Sequence, residues 1–125
     1  MNATVREWTE KAAGDYATAA RELRVASSPN YDAVCFHAQQ AAEKWMKALL
    51  IHLGITPSRS HDLVALDRLL AQACSQWSWP IEELRLLSSA AVTFRYPGES
   101  AGREEAIETF DIVTRMRDKL LPLCS

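Results

Sequence analysis

The spacing of apolar residues constrains this chain most strongly, because it follows the period of an α-helix almost from end to end. In the first segment, apolar side chains recur at steps of three and four, which places them on one face of a helix. They are Val5, Trp8, Ala12, Tyr16, Ala19 and Leu23. No sustained alternation of apolar and polar residues indicates a strand. The pattern therefore predicts an all-α protein.

Turn and capping residues divide this pattern into five helices. The first, second and fifth span about 4–26, 31–53 and 103–121, the third carries Leu63 to Ala73 and ends near Cys74, and the fourth carries Leu84, Leu87, Ala91 and Phe94. Gly54 is placed to end the second helix in a left-handed conformation, and Ser60 or Asp62 to cap the third. Ser78 before Pro80, with acidic residues in the following turn, resembles the start of the fourth. Short connections between amphipathic helices predict a single domain, 1–125, folded as an up-and-down bundle of about five antiparallel helices.

Composition fits such a domain and excludes several functions. A chain of 125 residues, 48% apolar and 24% charged, can bury a core without disulfides or metals. The net charge of −2 leaves no excess of cations for an extended nucleic acid. Three widely separated cysteines, without CxxC spacing, indicate reduced thiols instead of a disulfide framework or a zinc site.

No segment indicates a membrane protein or a familiar catalytic motif. No apolar run approaches the roughly 20 residues that span a bilayer, and the N-terminus lacks an apolar signal core, so we expect a cytoplasmic protein without membrane contact. Glycine-rich phosphate loops, HExxH, metal-ligand spacing and nucleophilic serine elbows are all missing from the sequence. We therefore expect no metal and no cofactor.

The second predicted helix carries a polar stripe. Gln40, Glu43 and Lys47 fall at i, i+3 and i+7, on one side of the helix, with Phe36 one turn earlier and Lys44 beside them. One interpretation is a solvated face stabilised by pairing of Glu43 with Lys47. The other is a polar seam that faces another helix or a ligand.

Two further clusters lie near helix ends. His61 and Asp62 precede the third helix, where they could serve as a cap bonded to a neighbouring loop, or His61 could act as an acid or base. Arg95 and Tyr96 end the fourth helix, before Pro97. Arginine offers a planar fork for phosphate or for an ion pair, here with Glu43 or Asp62, and tyrosine offers an aromatic face with a hydroxyl.

Taken together, these clusters resemble the HEPN family in order and spacing over nearly the whole chain. The matching residues are Trp8, Ala12, Asp15 and Ala19, then Ala38, Gln39, Gln40, Ala41, Ala42, Glu43, Lys44, Lys47, Ala48 and Leu49, then His61, Asp62 and Leu63, and finally Arg95, Tyr96 and Pro97. The resemblance implies a short helical bundle, commonly homodimeric, that is often paired with a separate minimal nucleotidyltransferase in a toxin and antitoxin module. It also implies a nucleotide-binding role.

The ribonuclease motif of many HEPN proteins, an arginine followed by a histidine after four to six residues, is missing. The three histidines are His37, His52 and His61, and none has an arginine five to seven positions before it. Catalysis therefore does not follow from the resemblance, and we predict no catalytic residue. The four tryptophans, with Trp77 and Trp79 flanking a loop, suggest more apolar surface than one bundle hides, which favours a homodimer.

Three hypotheses for function follow. The first is a non-catalytic module that binds a nucleotide or a nucleotidyltransferase partner. The second is an RNA-cleaving toxin with an altered active site built on His61 and Arg95, and the third is a structural network in a protein that acts through its partner interface. Under the first, the candidate ligand-binding residues are Gln40, Glu43, Lys47, His61, Asp62, Arg95 and Tyr96.

Overall fold

Five α-helices form the protein in a computed structural model that describes residues 1–94 and 96–125. They are α1 (Ala3–Leu23), α2 (Tyr31–His52), α3 (Leu63–Ala73), α4 (Ile81–Thr93) and α5 (Arg103–Leu123). No strand occurs in the described ranges. The prediction of an all-α bundle is confirmed.

Local sequence explains where several helices begin and end. The side chains of Asn2, Asn30 and Asp62 each accept a hydrogen bond from a backbone N–H in the first turn of α1, α2 and α3. At the end of α2, Gly54 adopts a φ of +82°, and the N–H groups of Gly54 and Ile55 donate to the carbonyls of Ile51 and Leu50. This is a Schellman motif, which satisfies carbonyls that the helix leaves unpaired.

Two predicted boundaries were wrong. Helix α1 ends at Leu23 and not near residue 26, and the connection that follows contains Ser28 at a φ of +51°, which is incompatible with a continuing helix. The N-cap of α4 is Pro80, without a side-chain cap, so Ser78 does not have the capping role suggested by the sequence. The Ser78 carbonyl instead accepts a hydrogen bond from Lys119 of α5.

Helix α2 lies at the centre and contacts all four other helices. It runs antiparallel to α1, because Lys47 lies over the ring of Trp8, whereas His37 bonds to Asp15 further along α1. The apolar stripes meet in a core around α2, which includes Trp45, Leu49, Leu66, Leu87, Ile112 and Met116. No helix in the described ranges has the length and apolar content that crossing a membrane requires.

The tryptophans and cysteines lie mostly inside this bundle. Trp45 and Trp77 are buried, and Trp8 and Trp79 are half-buried against the core. Two of the four tryptophans thus belong to the core, so these residues expose less apolar surface than the sequence suggested, and the expected homodimer stays a prediction. All three cysteines are free thiols, as predicted, and Cys35 and Cys124 are buried.

Candidate ligand-binding cleft

The side chain of Glu43 is the centre of a polar network on the central helix. Its Oε2 accepts hydrogen bonds from His61 Nδ1 at 2.9 Å and from Lys47 Nζ at 3.1 Å, and its Oε1 accepts one from Gln39 Nε2 at 3.2 Å. The Glu43 and Lys47 side chains are only 5% and 7% exposed. The solvated-face interpretation is therefore wrong for this pair.

The network keeps the Glu43 carboxyl group ionised. Burial alone raises its pKa, but the hydrogen bonds from His61, Lys47 and Gln39 outweigh burial and bring the pKa below the ordinary value of a glutamate. An ionised carboxylate only accepts hydrogen bonds, so His61 must donate from Nδ1. In a neutral imidazole, Nε2 is then an acceptor. It is accessible, because the His61 side chain is 79% exposed.

The same carboxylate orients two adjacent amides. Gln39 presents its NH₂ group to Glu43, so its carbonyl oxygen faces away and accepts a hydrogen bond from Gln40 Nε2 at 2.8 Å. Gln40 Oε1 accepts no hydrogen bond from the residues that the structure describes. A chain of oriented side chains thus leads from the buried carboxylate towards the surface.

These groups border a cleft of about 330 Å³ between α2, α4 and the connection before α3. Its lining residues are Phe36, Gln39, Gln40, His61, Ser88, Ala91 and Val92. The Ser88 Oγ is buried and has no hydrogen-bond partner within residues 1–94 and 96–125. The cleft therefore combines an aromatic side chain, two amides, an imidazole and an unpaired hydroxyl, and such a mixture is typical of small-molecule sites.

Comparison with known proteins identifies the family of this chain. The sequence model of the HEPN domain matches residues 5–121. This chain belongs to the HEPN domain family. The comparison with curated proteins finds no match.

Two solved structures are similar to this HEPN chain. The crystal structure of TT1696 from Thermus thermophilus is 27% identical, with a TM-score of 0.76 over 95% of this chain and 97% of that one. The crystal structure of ST0689, an archaeal HEPN homologue, is 23% identical, with a TM-score of 0.70 over 97% of this chain and 98% of that one. The second likeness shows the fold alone.

The HEPN fold brings together some of the residues that the sequence singled out and separates others. Gln40, Glu43, Lys47 and His61 share the network. Asp62 instead caps α3 through a hydrogen bond from the N–H of Val64 to its Oδ1, and Tyr96 is exposed and not among the lining residues of the cleft. The imidazole of His61 bonds to α2 and not to a neighbouring loop.

Arg95 lies outside the described residues. Its predicted ion pair with Glu43 or Asp62 therefore stays a prediction.

Gln39 and Ser88 were not predicted as site residues. Gln39 stands in the segment that resembles the family, and its spacing of four from Glu43 places both on the same side of the helix, a signal that the i, i+3, i+7 stripe does not include. Ser88 gave no signal, since a single serine on an amphipathic helix has no distinguishing pattern. Only the packing of α4 against α2 places it in the cleft.

A second polar cluster, between α1 and α2, was also missed. Asp15 accepts a hydrogen bond from Lys44 through one carboxylate oxygen and lies 2.8 Å from His37 Nδ1 through the other. Its side chain is mostly buried. Asp15 lies on the edge of an apolar stripe, so a search for polar spacing along one helix could not detect it. No group of three metal-ligating side chains converges in the part of the chain that the structure describes.

Proposed function

We propose that this protein is a non-catalytic HEPN module that binds a nucleotide in the cleft between α2 and α4. The observation that carries the proposal is the placement of an aromatic side chain, Phe36, beside oriented polar groups of Gln40 and His61 along one cleft. A base can stack on an exposed ring, while amides and imidazole bond to its edge.

The size of the cleft favours a single nucleotide. Sites for small molecules commonly have volumes of about 300–1,000 Å³, and this cleft, at about 330 Å³, stands at the lower end. The net charge of −2 also argues against a long nucleic acid, which requires many cationic contacts. In this proposal Arg95 and Tyr96, which follow α4 in the sequence, are candidates to contact the sugar or the phosphate.

The partners implied by the family belong to the same proposal. We expect a homodimer and a separate minimal nucleotidyltransferase as partner, in a toxin and antitoxin pair. Exposed apolar residues at the edge of the cleft, Phe36 and Val92, support a protein contact on this side of the bundle. A partner bound there would cover the cleft, so ligand and partner would influence each other's affinity.

Calorimetric titration with a panel of nucleoside monophosphates tests the binding proposal. The parent protein should bind at least one of them, and Phe36→Ala should weaken binding by about fivefold or more, since stacking on an aromatic residue contributes roughly 1–3 kcal/mol per base. Ile107→Ala is the matched control, because Ile107 is a similarly exposed apolar helix residue that does not line the cleft. If no nucleotide binds the parent protein, the proposal is wrong.

One observation favours the alternative of an RNA-cleaving toxin. The imidazole of His61 is held by a buried carboxylate and leaves Nε2 accessible, an arrangement that suits a general base. Against this stands the missing arginine and histidine motif, so we expect no RNA cleavage by the purified protein. Reproducible cleavage that disappears in His61→Ala and persists in His52→Ala would establish the alternative.

A further inference from the structure

We infer that the cleft selects adenine and cytosine over hypoxanthine and uracil, which carry a carbonyl oxygen where adenine and cytosine carry an exocyclic amino group. This inference rests on the proposed function and adds the chemistry of recognition to it. It follows from the positions of the hydrogen atoms on His61 and Gln40. The buried carboxylate of Glu43 determines them, directly for His61 and through Gln39 for Gln40.

The imidazole of His61 supplies the first hydrogen-bond acceptor. Its Nδ1 lies 2.9 Å from Glu43 Oε2, and that oxygen belongs to an ionised carboxylate that can only accept. In the neutral imidazole the ring hydrogen is therefore on Nδ1, and Nε2 carries a lone pair. Because the ring is largely exposed and lines the cleft, it offers a ligand a hydrogen-bond acceptor.

The side-chain carbonyl of Gln40 supplies the second acceptor. Glu43 requires the NH₂ group of Gln39, and the remaining carbonyl of Gln39 requires the NH₂ group of Gln40. A flip of either amide would bring two acceptors into contact. Gln40 is thus held with one N–H occupied and with its carbonyl oxygen free of donors from the described residues. The network presents a second acceptor on the same cleft.

An exocyclic amino group of a base complements these two acceptors. An exocyclic amino group has two N–H bonds and no tendency to accept, so it can donate to either acceptor or to both. A carbonyl oxygen at the same place on the base would put its lone pairs against those of Nε2 or Oε1. The Ser88 hydroxyl does not alter this preference, since it can rotate to donate to a ring nitrogen or to accept from an N–H.

Matched nucleotide pairs test the inference, because AMP and IMP, or CMP and UMP, have the same sugar and phosphate. Calorimetric titration should give an affinity ratio of about tenfold or more in favour of the amino member of a pair that binds. In His61→Ala this ratio should fall to about threefold or less, whereas His52→Ala, which changes an exposed histidine at the end of α2, should keep it. Gln40→Met, which removes the second acceptor, should also lower the ratio.

The outcomes separate this inference from the proposed function. Equal affinity for AMP and IMP, and for CMP and UMP, would overturn the inference while nucleotide binding stood. An unchanged ratio in both His61→Ala and Gln40→Met would overturn it as well, because the preference would then come from other groups. No binding of any of the four nucleotides would overturn the proposed function itself.

Discussion

Replacement of Glu43 by leucine tests the energetic role of the buried network. Glu43→Leu keeps a similar volume, so the change removes the carboxylate without leaving a large cavity. Lys47 then keeps its ammonium group in a site where the side chain is 7% exposed. Its ammonium nitrogen lies 5.8 Å from the centroid of the Trp8 ring, which does not replace the lost carboxylate. The variant therefore measures what an uncompensated buried charge costs.

The expected loss is large for a domain of this size. Removing one member of a buried ion pair costs about 3–5 kcal/mol, and the NH₂ group of buried Gln39 also loses its acceptor. Because small domains are stable by about 5–15 kcal/mol in total, we expect Glu43→Leu to lose about a fifth or more of the free energy of unfolding. The double variant Glu43→Leu/Lys47→Met should recover at least half of that loss, since it removes the stranded charge as well.

Urea denaturation under reducing conditions, followed by tryptophan fluorescence, supplies these free energies. The chain offers a matched control in Asp111, which pairs with Arg115 at the same i, i+4 spacing but on an exposed surface. Asp111→Leu should change stability by about 0.5 kcal/mol or less. If Glu43→Leu costs no more than Asp111→Leu, or if the double variant is no more stable than the single one, the buried pair does not have the role described.

Three further predictions concern pH, glycines and assembly. Because the folded pKa of Glu43 lies below its unfolded value, its contribution to stability is complete above about pH 5 and is lost as pH falls towards the folded pKa; acid titrations should therefore destabilise the parent more than Glu43→Gln. Gly54→Ala should lower the free energy of unfolding by about 1 kcal/mol, because Gly54 has a φ of +82°. Gly14→Ala, inside α1, should raise this free energy by about 0.5–1 kcal/mol, and thermal denaturation measures both changes. Light scattering should give about twice the chain mass of 14.0 kDa if the expected homodimer forms, and a monomer at micromolar concentration would contradict it.

The sequence predicts the helices well because each one must hide a single apolar stripe, and such a stripe is visible as a period of three and four. The ends of helices depend on local chemistry that the sequence shows unevenly. Gly54 was identified correctly, since few other residues tolerate a positive φ. The end of α1 was not, because Val25 and Ala26 continue the apolar character of the helix and only the backbone of the following turn stops it.

The candidate site was less predictable, because spacing along one helix does not reveal what covers it. A solvated pair and a buried pair at i, i+4 look alike in sequence, and burial of Glu43 and Lys47 depends on their packing within the bundle. The hydrogen bond from His61 to Glu43 joins residues 18 positions apart, and it depends on the path of the connection after α2, which the sequence does not indicate.

The state of the His61 imidazole tests the central claim most directly, namely that the buried carboxylate of Glu43 sets the hydrogen-bonding character of a nucleotide-binding cleft. Two-dimensional NMR of protein labelled with ¹⁵N-histidine, at about pH 8, distinguishes ring nitrogens that carry hydrogen from those that do not. We predict hydrogen on Nδ1 of His61, no hydrogen on Nε2, and a shift of the Nε2 signal when AMP or CMP is added, with no comparable shift in His52. Hydrogen on Nε2, or His61 signals that stay unchanged at saturating nucleotide, would contradict this claim.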